Sequence, residues 1–414
     1  MAVTPTTLTE LNDLGKDYFS NVYVQLINPE TPLKAQFAKL ENAQYTGRKW
    51  IFGVQTRIGG GAANAGANKS LPAAAAGGYD QGEAGVVRTY TRMALDGLAI
   101  EVTKKQAGSY RPALSETMKD RLQAHDLEVN RQFFCNGDAQ VAVLLTDSNT
   151  SQVLTKDYGV TNGGLGSRHI YVGDVLQPYS QAFVARTKCT VTDVDHSTAT
   201  ITVTPDPVTT AGDFFARATS DTDNYIAGEA NGLLASVKDS VTFETIPATG
   251  PWKSTRLHNS GTLRDIADSL VMQVIEQIRA VSRQTPDLAV CRPGLVLRYS
   301  ELFLPLRRID GQDMQLKAGY KPVSQIMHAG GAIPVVTDND CPNGRLFLLN
   351  TGAFRLADLV GSDWADMDGA TFDRVTDKDS IEGYIRKYWN LITVQRNANG
   401  VIEDLNEAAI DKAV

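Results

Sequence analysis

Residues 59–85 read GGGAANAGANKSLPAAAAGGYDQGEAG, with eight glycines and nine alanines in 27 positions. So few large side chains have little to bury, which predicts a tip that is mobile in the isolated chain. On its N-terminal side Trp50, Phe52 and Val54 alternate with Ile51, Gly53 and Gln55; on its C-terminal side Val87, Thr89, Thr91 and Met93 form a second alternating run. Period two marks a strand with one buried face. Two strands around a tip predict a long hairpin over 47–95, its stem girdled by Arg48, Lys49, Arg57, Arg88 and Arg92. A solitary hairpin is not stable in water, so this one must lie on something else.

The string GAANAGANKS at 61–70 is a near miss for a phosphate loop. That loop needs Gly-Lys-Ser/Thr contiguous and a helix after it, so that backbone amides and lysine reach the same phosphates. Here Ala67 and Asn68 separate Gly66 from Lys69, and Leu71-Pro72 follows. A nucleotide site is disfavoured.

Outward from the hairpin the chain is ordinary. Its 414 residues suggest two or three domains. Forty Lys and Arg against 47 Asp and Glu give a net charge of -7, which argues against dedicated nucleic-acid binding. Cys135, Cys189, Cys291 and Cys341 form no CxxC pair, so neither a disulfide framework nor a structural zinc site is signalled. The N-terminus has no apolar signal region and no run approaches a membrane span, which leads to the expectation of a soluble chain made in a reducing compartment.

Leu8, Leu11, Leu14, Tyr18, Val22 and Leu26 lie at helical spacing, an amphipathic arm before Asn28-Pro29 and Thr31-Pro32 break it. The arm packs either on its own core or on another subunit. GLAIEVT at 97–103 reads as strand. Leu114, Met118, Leu122, His125, Val129 and Phe133 then mark one face of a long helix ending at Asn136-Gly137. His125 on that apolar face reads as a structural histidine. Residues 140–250 are rich in Thr and Val and predict a small barrel or sandwich, inserted between helical elements. A second helix is expected from about Thr262 to Ser282, then a strand at 288–291, a helix near 296–308, strands at 333–336 and 346–349, and a strand, turn and short return over 388–405. This order is α+β, without the repeating βαβ of a nucleotide fold.

Chemistry is hard to find. His125, His169, His196, His258 and His328 are mutually isolated, and there is no HExxH or GxSxG. The carboxylate clusters Asp338/Asp340, Asp363/Asp366/Asp368 and Asp193/Asp195 read as solvated turns more readily than as metal sites. No catalytic residue, metal or cofactor is expected.

In order, length and composition these features resemble the major capsid protein of tailed bacteriophages, the Hong-Kong-97-type fold. The Ala/Gly-tipped hairpin is similar to the E-loop, and VVRTYTRMALDGLAIEVTKKQ running into PALSETMKDRLQAHDLEVNRQFFCNGDA is similar to its return and the P-domain spine helix. WKSTRLHNSGTLRDIADSLVMQVIEQIR resembles the entry to the A-domain, and YWNLITVQRNANGVIEDL the closing strand. The resemblance implies an arm at 1–46, an E-loop at 47–95, a P-domain with its spine at 96–139, a β-rich insertion at 140–250, an A-domain at 251–369 and a return at 370–414. It implies no enzyme but a shell subunit of the virion, made in the bacterial cytoplasm. Hexamers and pentamers of that subunit close into an icosahedral head around double-stranded DNA, with separate scaffolding, portal and decoration proteins as further partners and no membrane. Candidate subunit contacts are Leu8, Leu11 and Leu14 on the arm and Arg57, Lys69, Arg88 and Arg92 on the hairpin. Some members crosslink through an E-loop lysine; Lys69 is the only lysine at this tip and reads as a solvated charge. The other readings are a tail or decoration component and, less favoured, an enzyme using Asp363, Asp366 and Asp368.

Overall fold

The computed structural model describes residues 30–40, 48–67, 69–104, 113–160, 162–218, 228–303, 324–328, 330–366, 371–376 and 378–407. The chain divides into two compact units, one of 1–29, 91–124 and 364–385, the other of 30–90, 125–363 and 386–414. The arm leucines Leu8, Leu11 and Leu14 lie outside the described residues, as does Asp368.

Thr31-Pro32, expected only as a breaker, opens a helix, α1 (Pro32–Phe37), because proline lacks only an N–H that the first turn leaves unused. The hairpin follows as β1 (Lys49–Arg57) and β2 (Gly78–Gly85), paired antiparallel from Lys49↔Gly85 to Arg57↔Gly78. This corrects the expected pairing. The alternating run at 87–93 is a separate strand, β3 (Val87–Asp96), which belongs to another sheet. Phe52 suits this partner: a Cβ on Gly82, directly opposite, would sit 2.4 Å from its ring and force it to shift, and β2 supplies a glycine there.

GLAIEVT is not a strand but the start of α2 (Gly97–Lys104). In the smaller unit the N–H of Gly97 donates to the Asp379 carbonyl at 2.8 Å, and an added Cβ at Gly97 would meet the Asp379 carboxylate, so the two segments approach closely there. The long helix is α3 (Ala113–Gln132), four residues shorter than expected at its C-terminal end.

The β-rich stretch becomes a closed six-stranded barrel. Its strands are β4 (Ala142–Ser148), β5 (Ser151–Asp157), β6 (Val175–Tyr179), β7 (Cys189–Asp195), β8 (Thr200–Thr204) and β9 (Phe214–Arg217), in the order β4-β5-β8-β7-β6-β9. Closure leaves no free edge. The interior holds Val141, Leu144, Leu154, Ile170, Leu176, Val191, Ile201, Val203 and Phe215, alternating with outward Thr and Asp.

The segment after the barrel joins a different core through α4 (Leu233–Ser236). The larger unit is then organised by a six-stranded mixed sheet, β10 (Thr255–Leu257), β11 (Leu288–Cys291), β12 (Gln325–His328), β13 (Gly331–Thr337), β14 (Leu346–Leu349) and β18 (Gly400–Ile402), ordered β10-β18-β14-β11-β13-β12. Its central strands are buried on both faces, as their continuous apolar sequences LAVC and LFLL require. Alternate residues go to opposite cores. Ala289, Cys291, Leu346, Leu348 and Ile402 meet α5 (Asp268–Ser282), while Leu288, Val290, Phe347, Leu349 and Val401 meet Phe133 and Trp389. In that second core Phe133 lies edge-on to Phe37 at 5.1 Å and to Trp389 at 4.7 Å. Each such ring contributes about 2–3 kcal/mol by burial.

Helix α5 starts later than expected because residues before it are extended: the N–H of Arg264 donates to the Asp404 carbonyl at 2.9 Å. The helix expected near 296–308 is α6 (Pro293–Glu301), again with proline in the first turn; residues 304–308 lie outside the described residues. The remaining sheet holds β15 (Phe354–Trp364), β16 (Asp373–Arg374) and β17 (Ser380–Thr393), with β3 also on β17. The short return after 397–400 does not fold back on β17; it is β18, between β10 and β14. No described helix is long and apolar enough to cross a membrane.

Candidate subunit-contact surface

The hairpin has two unlike faces, fixed by the β1/β2 register. Trp50, Phe52, Val54, Gly82 and Ala84 face inward, where Phe52 lies 6.4 Å from Trp252 and Ala84 packs with Ala357 and Ile392. Hydrogen bonds hold the base: the N–H of Glu83 donates to the Glu244 carbonyl at 2.9 Å, and the Asn390 amide to the Gly85 carbonyl at 2.7 Å. The expectation that the hairpin lies on something else is met in part by its own chain.

The opposite face and the tip are open. Ile51 is 53% exposed, Tyr79 75%, Ile58 83% and Leu71 86%. Within the tip two backbones run in near contact: Gly61 has φ +108, and a Cβ on it would stand 2.8 Å from the Ala73 carbonyl oxygen. Glycine is required at 61 by its φ and by the approach of the two segments.

The nominated basic residues do not form one girdle. Arg57 ends β1, exposed, and Lys69 is exposed in the tip with its N–H donating to the Gly66 carbonyl. Lys49 pairs across the hairpin with Glu83 at 2.6 Å. Arg88 and Arg92 are on β3, not on the hairpin. Arg92 is ion-paired with Glu382 in the smaller unit, and Arg88 lies over the Tyr388 ring at 5.9 Å.

Sequence reading missed a buried charged cluster between the barrel and α3. Arg131, 2% exposed, binds Glu128 at 2.6 Å and also Glu229; Arg217 of β9 binds Asp174 and lies 3.6 Å from Glu128. Burial pushes the Glu128 carboxyl up, but Arg131 and Arg217 outweigh it and hold it at about 2. Nearby, Asp338 is buried rather than a solvated turn: it accepts the Leu33 N–H at 3.0 Å, the Asn130 amide at 3.1 Å and the Asp340 N–H at 2.8 Å. Burial, then the Asp338 charge, pushes Asp340 up to about 6. The Arg168 Nε–H donates to His169 Nε2, which leaves the neutral ring's proton on Nδ1, 3.7 Å from Asp340. His125 is fully buried as expected, and burial lowers it to about 4. Arginine and glutamate at 128, 131, 217 and 229 are visible in the sequence, but nothing in their spacing announces that they converge. Among the described residues no three His, Cys, Asp or Glu side chains stand close enough to hold a metal.

No protein-family model and no curated protein matches the sequence. Solved structures do match, end to end. The capsid asymmetric unit of cyanophage A-1(L) matches with TM-score 0.59 at 13% identity, over 97% of this chain and 99% of that one. The fold is that of a phage capsid subunit. The capsid of a native GTA particle matches with TM-score 0.51 at 11% identity over 98% and 100% of the two chains, and a chain of Mycobacterium phage Adephagia with TM-score 0.50 at 8% over 98% and 99%. The α+β, Hong-Kong-97-type fold expected from the sequence is thereby borne out.

Proposed function

We propose that this chain is the major shell subunit of a phage head, assembling as hexamers and pentamers into an icosahedral capsid that encloses double-stranded DNA. The observation that carries the reading is the match along nearly the whole chain to a phage capsid subunit. The open hairpin face supports it, since four large apolar side chains on one projection suit burial on a neighbouring copy. In this reading Ile51, Ile58, Leu71 and Tyr79 join Arg57 and Lys69 at the contact, with Leu8, Leu11 and Leu14 supplying a second. Arg92 keeps Glu382 and contributes through that pair. Scaffolding, portal and decoration proteins are separate partners, and the role is structural, not catalytic.

Negative-stain microscopy of the expressed chain, with and without a scaffold from the same source, tests this. Closed shells are expected in at least one sample. Tubes of tail diameter, or binding only to preformed heads, would give the protein to the tail or decoration class instead.

A further inference from the structure

We propose that Asp338 and Asp340 form a proton-sharing carboxyl pair that sets how tightly α1 is held. The first turn of α1 has no cap of its own: Thr31 makes no side-chain bond to it, and Pro32 has no N–H. Its donors are met from across the sequence. The N–H of Leu33 donates to Asp338 Oδ2 at 3.0 Å, and that of Lys34 to Asn130 Oδ1 at 3.0 Å. Asn130, fully buried on α3, turns its amide to both carboxylates, with Nδ2 3.1 Å from Asp338 Oδ2 and 2.6 Å from Asp340 Oδ2. The two carboxyl groups therefore meet at one nitrogen, and the Asp340 N–H, 2.8 Å from Asp338 Oδ1, ties them a second time. α1 is the described part of the arm expected at 1–46, so the pair governs how that part is attached to its own subunit.

The cations packed around the pair are engaged elsewhere. Arg168 binds Asp157 and the carbonyls of Asn339, Asp340 and Cys341, Arg131 binds Glu128 and Glu229, and the Lys34 ammonium binds Asp126. His169 Nδ1 lies 3.7 Å from Asp340 Oδ1, and burial, then Arg168, keeps that ring neutral. Two carboxyl groups sharing a buried site do not both ionise readily. Burial, then the Asp338 charge, holds Asp340 at about 6 against the pull of Asn130, Arg168 and Arg131, and burial raises Asp338 as well. While Asp340 keeps its proton, Asp338 carries the single charge and holds the Leu33 N–H with it. When Asp340 ionises the two charges repel, and Asp338 relieves the repulsion by turning away, which loosens its bond to Leu33. The contribution of Asp340 is present below its ordinary 3.8 and is lost as pH rises through about 6. Leu33 and Phe37 stay buried in the core throughout, so the quantity that changes is how often the first turn opens.

Amide hydrogen exchange in the purified full-length chain tests this. Leu33 and Lys34 are read against Leu154, whose N–H is held by the Ala199 carbonyl inside the barrel, so that the intrinsic pH dependence of exchange cancels. Between about pH 4.5 and about pH 6.5 the exchange of Leu33 and Lys34 relative to Leu154 should rise roughly tenfold. Asp340→Asn, which has the shape of the protonated acid, should abolish the rise and keep the slow exchange at both values. A flat ratio in the unmodified chain would overturn the proposal, and that result needs no variant to fold. So would a rise that survives in Asp340→Asn, which would assign the titration to another group. The measurement is made on the free subunit and takes nothing from the shell reading, so either can fail while the other stands.

Discussion

The barrel and the hairpin solve the same problem in opposite ways. Both are antiparallel β-structures projecting from the larger unit's core. The barrel closes on itself, so its apolar side chains end in its own interior and its strands present no edge. The hairpin has only two strands; it lays one face on its own chain and leaves Ile51 and Tyr79 on the other. A closed sheet is complete within one subunit, and an open one carries unfinished burial that a second molecule can finish.

Four measurements can break or sharpen that contrast. Phe215→Ala, in the fully buried barrel interior, should cost about 3–5 kcal/mol in the unfolding free energy of the isolated subunit. A loss near zero by denaturant titration would mean the barrel is not a packed core.

The tie between the barrel and α3 is ionic, so acid should act on it. Glu128 is held at about 2 against an ordinary 4.5, so its stabilisation is complete above pH 4.5 and is lost as pH falls toward 2, up to about 3 kcal/mol. His125, at about 4 in the folded chain against 6.5, costs stability as pH falls from 6.5 to 4, because over that range only the unfolded chain takes the proton. Asp340, raised to about 6, acts in the opposite sense between pH 6 and 4. The Tm should therefore change little between pH 6.5 and 4.5 and fall steeply below, and the gap between wild type and Glu128→Gln should close over the lower range. Parallel profiles would remove Glu128 from the account.

Gly82→Ala on the hairpin's packed face places a methyl against the Phe52 ring and should cost about 1–3 kcal/mol, read by thermal melting. Smallest of all, Ile51→Ser and Tyr79→Ser should each shift subunit stability by no more than about 0.5 kcal/mol while reducing shell yield under the microscope. If they destabilise the free subunit as Gly82→Ala does, the outward face is not open.

Much of this was legible in the sequence. The barrel was readable because Thr and Val alternate with turn residues at short spacing, and LAVC because a continuous apolar run suits a strand buried on both sides. The partner of β1 was not. Alternation in VRTYTRM made β3 look like the return strand, while the true partner, GYDQGEAG, has almost no strand propensity. Its glycine is chosen by the Phe52 ring across the pair, a long-range steric demand that propensity does not register. GLAIEVT failed for a related reason: β-branched residues favour a strand locally, and tertiary context overrode them. Of the candidate contact residues, Arg57 and Lys69 were found by their charge. Ile51 and Tyr79 could have been found as the non-packing alternates of Trp50, Phe52 and Val54, since the register places them on the other face.

The first and last strands of the barrel are hydrogen-bonded neighbours, with Ala142 opposite Phe215, and just beyond them the N–H of Leu233 donates to the Phe133 carbonyl at 2.7 Å. The chain thus enters and leaves this module through a single doorway. Lineages could gain, lose or exchange such a cassette without rethreading the sheet and helices around it, and its interior cluster shares no residue with the two larger cores. What a shorter connection would have to replace is the counter-charge that Arg217 brings to Glu128 and the hydrogen-bond donors that Arg168 brings to the 339–341 carbonyls. Heredity at this position would be policed by these polar ties together with the seat of Tyr158 in the larger core.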